Sequence, residues 1–473
     1  MRVYLGANVV VESPGEHRRA LLRMSLFRRR GRLPRGERRP VDPDLGRHLA
    51  DNPQQAARYQ HALDTGRIIC AAINSPGAVW LPRGLLQQVR ALAPCDVVDR
   101  RLAFAPLEWP WRSSLVLPQW LAVDSVVRQG GGLLQATTGG GKTRCAAAVI
   151  ACLRQPIAWL THRKDLLVMA RASLLECFNL PPEAIGQIGD HGDWFGTHGT
   201  VAMVQSLAAR PARLQQLAER TGFVIQDEAH HAPAWSWMEV AGHFPAAYRL
   251  GLTGTLDRPD GLGPLALAVF GPGYTQVDQD ALVDAGLVII PTIYMVDTGY
   301  QHSGSRSWAF LQQSRARDHR RNAVVAAIVL EEVRQGGRVA ISVALREHAE
   351  ILAEMLPAQY GVPAQAVLGT TPTEVRDRAY RAVAEGRLVV IATQLFDEGV
   401  NLPELDAFVA AAQGRSPVQA AQRMGRLMRN WRGKRTPRFY DLCDMGVPVL
   451  ASQASARYAL YVERGWHVRR QAS

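Results

Sequence analysis

One local pattern constrains this chain more than any other. The apolar run Gly132–Ala136 leads into Thr137-Thr138-Gly139-Gly140-Gly141-Lys142-Thr143, and a helical pattern follows over Lys142–Leu153. A strand ending in consecutive glycines, with a lysine opening the next helix, is the local context of a phosphate-binding loop. Glycines let successive backbone N–H groups turn inward, and the helix N-terminus adds partial positive charge. Lys142 is then placed to reach the β- and γ-phosphates of a nucleotide, and Thr143 to hold Mg2+. Composition strengthens the reading. The 55 basic residues include only three lysines, Lys142, Lys164 and Lys434, so a lysine at this position is an unusual choice for this chain. Ala136 stands where the general pattern opens with glycine.

The surrounding sequence supplies the expected scaffold. From about residue 115, short β-like runs alternate with longer helical ones, the signature of a parallel sheet flanked by helices. Predicted strands are Gly132–Ala136, Ile157–Thr161, Thr200–Val204, Phe223–Gln226 and Arg249–Thr253. A second series is predicted at Val288–Val296, Arg338–Val343, Ala364–Val367, Leu388–Thr393 and Ala407–Ala411. Predicted helices between strands include Arg163–Phe178, Ser206–Arg220, Arg320–Arg334 and Thr373–Glu385. Two α/β domains in tandem are therefore expected, over 113–275 and 287–448. The Gly-, Pro- and Asp-rich stretch Asp257–Gly286 is the expected linker. Residues 1–112 are expected to form an accessory α+β domain that is basic and a candidate nucleic-acid binder, and 449–473 a helical tail.

Two further constellations carry chemistry. Phe223-Val-Ile-Gln-Asp227-Glu228-Ala229-His230 places an acidic pair at the end of an apolar strand. Asp227 suits Mg2+, and Glu228 suits orienting and deprotonating an attacking water. His230 is expected to link that site to its surroundings. Further on, Ser416-Pro417 is a good helix start. Gln422, Arg426 and Arg429 then share one face, while Ala420, Met424 and Leu427 point the other way. From the face pattern alone, two roles fit these arginines: stabilising a transferring phosphoryl group, or gripping a phosphate backbone.

The ordered set of motifs resembles the superfamily 2 helicases of the DEAH-box type. The stretch Asp227–Gly263 looks like that of prophage-borne DEAD/DEAH helicases related to the XPB group. The resemblance spans about 115–445 and implies two RecA-like domains with ATP bound between them. It implies that Gln119 recognises adenine and that Thr138, Gly139, Gly140, Gly141, Lys142 and Thr143 cradle the phosphates, with Gly399 of the second domain contributing. It implies nucleic-acid or coupling roles for Arg163, Gln205, His230, Thr253, Thr255, Thr393 and Gln422. Arg426 and Arg429 of Gln422-Arg-Met-Gly-Arg426-Leu-Met-Arg429 become arginine fingers. Three positions depart from the family pattern: Gly254 within Thr253-Gly-Thr255, Asn401 in place of Asp, and Met203 in place of Thr. None removes a hydrolytic group.

Charge distribution points to the same kind of partner. The net charge is +13. Residues 1–48 carry +7 and residues 411–473 carry +9, leaving the long middle slightly acidic. Excess positive charge at both ends fits a polyanion, and the resemblance to the XPB-related helicases favours DNA over RNA as that partner. No apolar run approaches the roughly 20 residues of a membrane span. The six cysteines form no Cys-x-x-Cys pair, as expected of a chain in a reducing cytoplasm. The expected activity is an ATP-dependent helicase or translocase. Alternatives are a duplex translocase that remodels without unwinding, and a binding scaffold that has lost hydrolysis.

Overall fold

The computed structural model describes residues 2–12, 14, 17–24, 26–28, 67–69, 72–74, 78–137, 139–229, 235–254, 263–271, 273–302, 307–393, 402–414, 423–425, 427–431 and 433–472. The chain divides into two compact units, with the break after Asp278.

The N-terminal part of the first unit builds a five-stranded sheet. Its strands are β1 (Arg2–Leu5), β2 (Val9–Glu12), β5 (Ala72–Asn74), β6 (Ala78–Leu81) and β7 (Asp96–Asp99), in the order β5-β6-β2-β1-β7. A separate antiparallel ribbon pairs β3 (Leu26–Arg28) with β4 (Arg67–Ile69). Alternation along β1 and β2 sends Val3, Leu5, Val9 and Val11 to one face, as period-two patterning requires. That face does not close on itself. It packs against Leu265 and Ala268 of the Gly263–Phe270 helix, within the stretch expected to be a linker. Gly84 permits the approach, because a Cβ there would lie 2.4 Å from the Leu267 carbonyl oxygen. The apolar sequence of that helix seats it on the sheet, and the break between the units after Asp278 falls within the same stretch.

Two arginines, Arg249 buried and Arg83 half-buried, fasten this sheet to the remainder of the first unit. Arg249 donates to the carbonyls of Ala7 at 2.7 Å, Ala241 at 3.0 Å, Phe244 at 2.7 Å and Val269 at 3.2 Å. Arg83 donates to the carbonyls of Ala246 and Ala247. Burial pushes the Arg249 guanidinium down to about 10.

The rest of the first unit is an eight-stranded sheet. Its strands are β8 (Gly131–Gln135), β9 (Ile157–Thr161), β10 (Ile185–Gly189), β11 (Gly192–Trp194), β12 (Gly199–Met203), β13 (Phe223–Gln226), β14 (Tyr248–Thr253) and β15 (Tyr274–Gln276). Their order is β11-β10-β12-β9-β13-β14-β8-β15. All neighbours run parallel except β10 with β11. The expected helix over Ser206–Arg220 is two helices, Val204–Ala208 and Pro211–Ala218, because Pro211 cannot continue a helix and instead starts one.

The second unit is a seven-stranded sheet, fully parallel. It comprises β16 (Thr292–Asp297), β17 (Val339–Ser342), β18 (Ala364–Val367), β19 (Val389–Ala392), β20 (Ala407–Ala410), β21 (Arg438–Cys443) and β22 (His467–Ala472). The order is β18-β19-β17-β20-β21-β16-β22. The His319–Arg334 and Arg346–Tyr360 helices bury Val325, Val329, Leu352 and Leu356 against Ile341 and Ile391. Residues 449–473, expected as a helical tail, hold most of the Pro448–Glu463 helix and then β22, which pairs along its length with β16.

Candidate active site

In a parallel sheet the carboxyl ends of the strands share one edge, and ligands collect there. Within the first unit, β12, β9, β13, β14 and β8 are five successive strands. Each leads into one of the segments singled out in the sequence.

β8 leads into the phosphate loop. Gly139 and Gly141 have φ of +91° and +84°, a region that strains any side chain. Gly141 is the cap of the Lys142–Leu153 helix and no side chain caps it, so the first N–H groups of the helix have no side-chain acceptor at the cap. Lys142 and Thr143 form the first turn and Gly140 is buried beside them. The Ala136 N–H donates to the Thr253 carbonyl at 3.1 Å, tying the loop to the buried end of β14. Gln119 comes from the Leu117–Gln129 helix and is 1% exposed. Its Oε1 accepts from the Val116 N–H at 3.1 Å. A Cβ on Gly141 would fall 2.3 Å from Gln119 Nε2, so the amide lies directly against the loop.

β13 leads into the acid pair. The Glu228 N–H donates to Asp227 Oδ1 at 2.9 Å, and the Asp227 N–H donates to the Leu160 carbonyl at 3.0 Å. Glu228 has φ of +50°, a left-handed conformation that costs energy for a residue with a Cβ and that concentrates at functional sites. Burial and the neighbouring Glu228 push the Asp227 carboxyl up to about 6, against the pull of Lys142 and His162. A carboxylate held so far above its ordinary range is one that a cation would relieve.

β9 and β12 carry the segments expected to meet nucleic acid. Thr161 Oγ1 accepts from the Arg163 N–H at 3.2 Å, and the Arg163 guanidinium lies 3.6 Å from Asp165. Gln205 Nε2 donates to the His162 carbonyl at 3.1 Å, joining the two segments. The sequence gives His162 no role of its own, although it lies in the same triplet. It is among the groups that pull the Asp227 carboxyl down, its carbonyl accepts from Gln205, and its ring sits 6.1 Å from Trp237. It bridges the acid pair and the Gln205 segment.

In the second unit, described by itself, Thr393 is half-buried at the exit of β19 and Arg429 is half-buried. Met424, Leu427 and Met428 are buried, but the expected helix stops at Leu427, so Arg429 does not stand on the helical face expected of it. Arg429 pairs in an antiparallel bridge with Val288, and burial lowers its guanidinium below the ordinary range. Thr138, His230, Thr255, Gly399, Gln422 and Arg426 lie outside the described residues.

Comparison with known proteins agrees with this arrangement. Residues 112–258 match the family described as type III restriction enzyme, res subunit, and residues 320–430 match the helicase conserved C-terminal domain. The chain belongs to the superfamily 2 helicases. It is 25% identical over 399 residues to the "Probable helicase D10" of Escherichia phage T5, covering 82% of this chain and 84% of that one. It is 23% identical to the DNA 3'-5' translocase XPB2 of Sulfurisphaera tokodaii, covering 65% and 77%. It spans 53% and 49% of the length of two haloarchaeal relatives. Dbp5 of S. cerevisiae, solved with RNA and ADP BeF3, shares the fold with a TM-score of 0.55 at 16% identity, covering 75% of this chain and 89% of that one. As a superfamily 2 helicase, the chain is an ATP-hydrolysing enzyme whose mixed α/β architecture is that of tandem RecA-like domains. Among the described residues, no helix is long and apolar enough to cross a membrane.

Proposed function

We propose that this helicase hydrolyses ATP with Mg2+ to move along or remodel DNA. One observation carries the reading. Five successive strands bring the phosphate loop, the acid pair and the Arg163–Gln205 segment to one sheet edge. Gln119 would read the adenine, and Gly139, Gly140, Gly141 and Lys142 would cradle the phosphates. Mg2+ would be held by Thr143 and Asp227, and when bound it offsets charge on the phosphates. The raised Asp227 carboxyl supports this, since a cation favours its ionised form. Among the described residues no cluster of three or more acids, histidines or cysteines could form a metal cage. That suits an ion shared with phosphates and bound by few protein ligands.

Glu228 would act as the base on the attacking water, with Arg429 and Arg426 opposing charge on the transferring group. His162 links the acid pair to Gln205, which supports a coupling route between hydrolysis and the DNA-facing segments. DNA, rather than RNA, is supported by the relative named as a DNA translocase. ATP turnover measured against single strands, duplexes, forks, four-way junctions and RNA tests the proposal, run beside a strand-displacement assay. Stimulation by DNA above RNA is expected. Stimulation by RNA alone, or turnover indifferent to every nucleic acid, would refute it. Stimulation by duplex without strand displacement would identify a translocase rather than a helicase.

A further inference from the structure

The chain has 52 arginines and only three lysines. Lys142 stands in the phosphate loop, and Lys164 pairs with Asp190 at 2.8 Å. The third, Lys434, lies outside every motif singled out in the sequence. Its Nζ donates to three backbone carbonyls: Leu427 at 2.7 Å, Pro403 at 2.8 Å and Arg429 at 2.9 Å. An ammonium has three N–H donors. All three are used, so Lys434 has none left for a nucleotide or a phosphate backbone. The three acceptors converge on one point, which a compact ammonium can satisfy and a flat guanidinium fork cannot.

The acceptors are chosen by position. Leu427 and Arg429 are the last residues of the arginine segment, and Pro403 ends the motif that begins near Thr393. The opposite side of the arginine segment is fixed separately. The Ile289 N–H donates to the Met428 carbonyl at 2.7 Å, and the Asn430 N–H donates to the Leu287 carbonyl at 3.3 Å. Next along the chain, the Arg435 N–H donates to Asp406 at 3.2 Å, so residues 434 and 435 both hold the 403–406 segment. The backbone of Arg429 is thus gripped between the Leu287–Ile289 segment and Lys434.

We propose that Lys434 is a positioning residue for Arg429, locking the backbone of that arginine to the Pro403 segment so that its guanidinium is delivered in one fixed place. This rests on the reading of Arg429 as the arginine that acts on the transferring phosphate. Lys434 itself touches no substrate. Fixed placement affects the transition state more than ground-state binding, so loss of Lys434 lowers kcat and spares the KM for ATP.

The test compares K434M, K434R, R429A and K434M/R429A in the full chain, with kcat and KM for ATP and the thermal unfolding midpoint measured for each. K434M is expected to lower kcat by about tenfold to a hundredfold, the scale of a misplaced catalytic group, with KM within about twofold. K434R is expected to fail to restore it. In the R429A background, K434M is expected to change kcat by less than about twofold, since interacting residues are non-additive where independent ones multiply. If K434M does not fold, K434R decides the matter, because it keeps the charge and most of the bulk. Wild-type kcat in K434R or K434M, or full multiplication of the two losses in the double variant, would overturn the proposal. A normal kcat in R429A would instead remove the reading of Arg429, and this inference with it. A slow R429A beside a normal K434M would remove this inference alone.

Discussion

Both sheets place carboxylates at or near the carboxyl ends of central strands, and they treat them in opposite ways. After β13, Asp227 sits beside a second acid with its carboxyl pushed up to about 6. In the second unit, Asp444 meets the guanidinium groups of Arg315 at 2.7 Å and Arg321 at 2.9 Å, with Thr298 donating to it as well. Burial alone would raise the Asp444 carboxyl, but those two arginines hold it below the ordinary range. On β21, Asp441 receives two hydrogen bonds from Arg457 at 2.8 Å and one from Tyr461 at 2.9 Å. Asp406 is likewise held low against burial, chiefly by its hydrogen bonds from Arg338. One sheet keeps its acids matched and the other keeps a mismatch at its ligand edge. Matched charge specifies a structure; mismatched charge is what a bound cation and phosphates can complete.

Altering an acid in each sheet separates the two kinds of charge. On the first side, Glu228→Gln should lower ATP turnover by roughly 10²–10⁴, the usual worth of a positioned general base. Its unfolding midpoint should stay near wild type, because glutamine keeps the shape of the side chain and relieves the charge that Glu228 sets beside Asp227. ATP-dependent retention on a DNA probe should rise, as hydrolysis can no longer release it. Normal turnover would show that Glu228 is not the base.

On the second side, Asp444→Ala should destabilise the chain by about 3–5 kcal/mol, because it strands two buried guanidinium groups. Denaturant unfolding followed by circular dichroism reads this directly. A loss below about 1 kcal/mol would place the pair among the inconsequential surface pairs.

Asp227→Asn should do the reverse. The folded carboxyl titrates near 6 and the unfolded one near 3.9. Between those values the folded state holds more protons, so stability falls as pH rises through that window. The penalty is complete above about 6 and absent below about 4. In nucleotide-free and magnesium-free protein, Asp227→Asn should therefore stabilise by roughly 1–3 kcal/mol at pH 7 and by nothing near pH 4. Hydrolysis should be lost at every pH. For Asp444 the sign is opposite: its folded value is depressed, so its contribution is present at neutral pH and lost in acid. Unfolding midpoints of the variants across this range separate the two behaviours, and destabilisation of Asp227→Asn at pH 7 would contradict the account.

The sequence made the site more legible than the fold around it. The phosphate loop and Asp227-Glu228 are local signals, and so are the strands Ile157–Thr161, Phe223–Gln226 and Ala364–Val367, which form with the bounds that patterning predicts. Strand β22 was unreadable because it is an exposed edge strand of His467-Val-Arg-Arg-Gln-Ala, with no apolar alternation to betray it. Strand β21 was hidden by the aspartate on its buried face, whose partners Arg457 and Tyr461 come from a helix later in the chain. Partnering of this kind is long-range and leaves no periodic trace. It also changes the meaning of net charge. Part of the excess counted after residue 411 points inward: Arg423 and Arg457 are buried, Arg438 pairs with Glu332 at 2.9 Å, and Lys434 is spent on carbonyls. Arg249 is similarly interior.

The basic N-terminal segment is where the charge argument still bears weight, and it yields the smallest expected effect. Removing residues 1–48 outright would be a poor test. It would delete β1 and β2, adjacent strands inside the five-stranded sheet, and with them Val3, Leu5, Val9 and Val11 from a shared core. Substitution keeps that core. Arg29, Arg30, Arg32, Arg35, Arg38 and Arg39 lie outside the described residues, between β3 and β4 in sequence. Replacing all six with glutamine removes six positive charges and leaves the strands untouched. Each phosphate contact neutralised contributes about 0.7–0.9 to the slope of log affinity against log salt. If half of these arginines reach the backbone, the slope should flatten by roughly 2–3. DNA binding should weaken about uniformly across sequences, since phosphate contacts carry no sequence information. Basal ATP turnover should be unchanged, because every segment assigned to hydrolysis begins at or after Gln119. An unchanged salt slope would mean that these arginines make no phosphate contacts and that the affinity for DNA resides elsewhere in the chain.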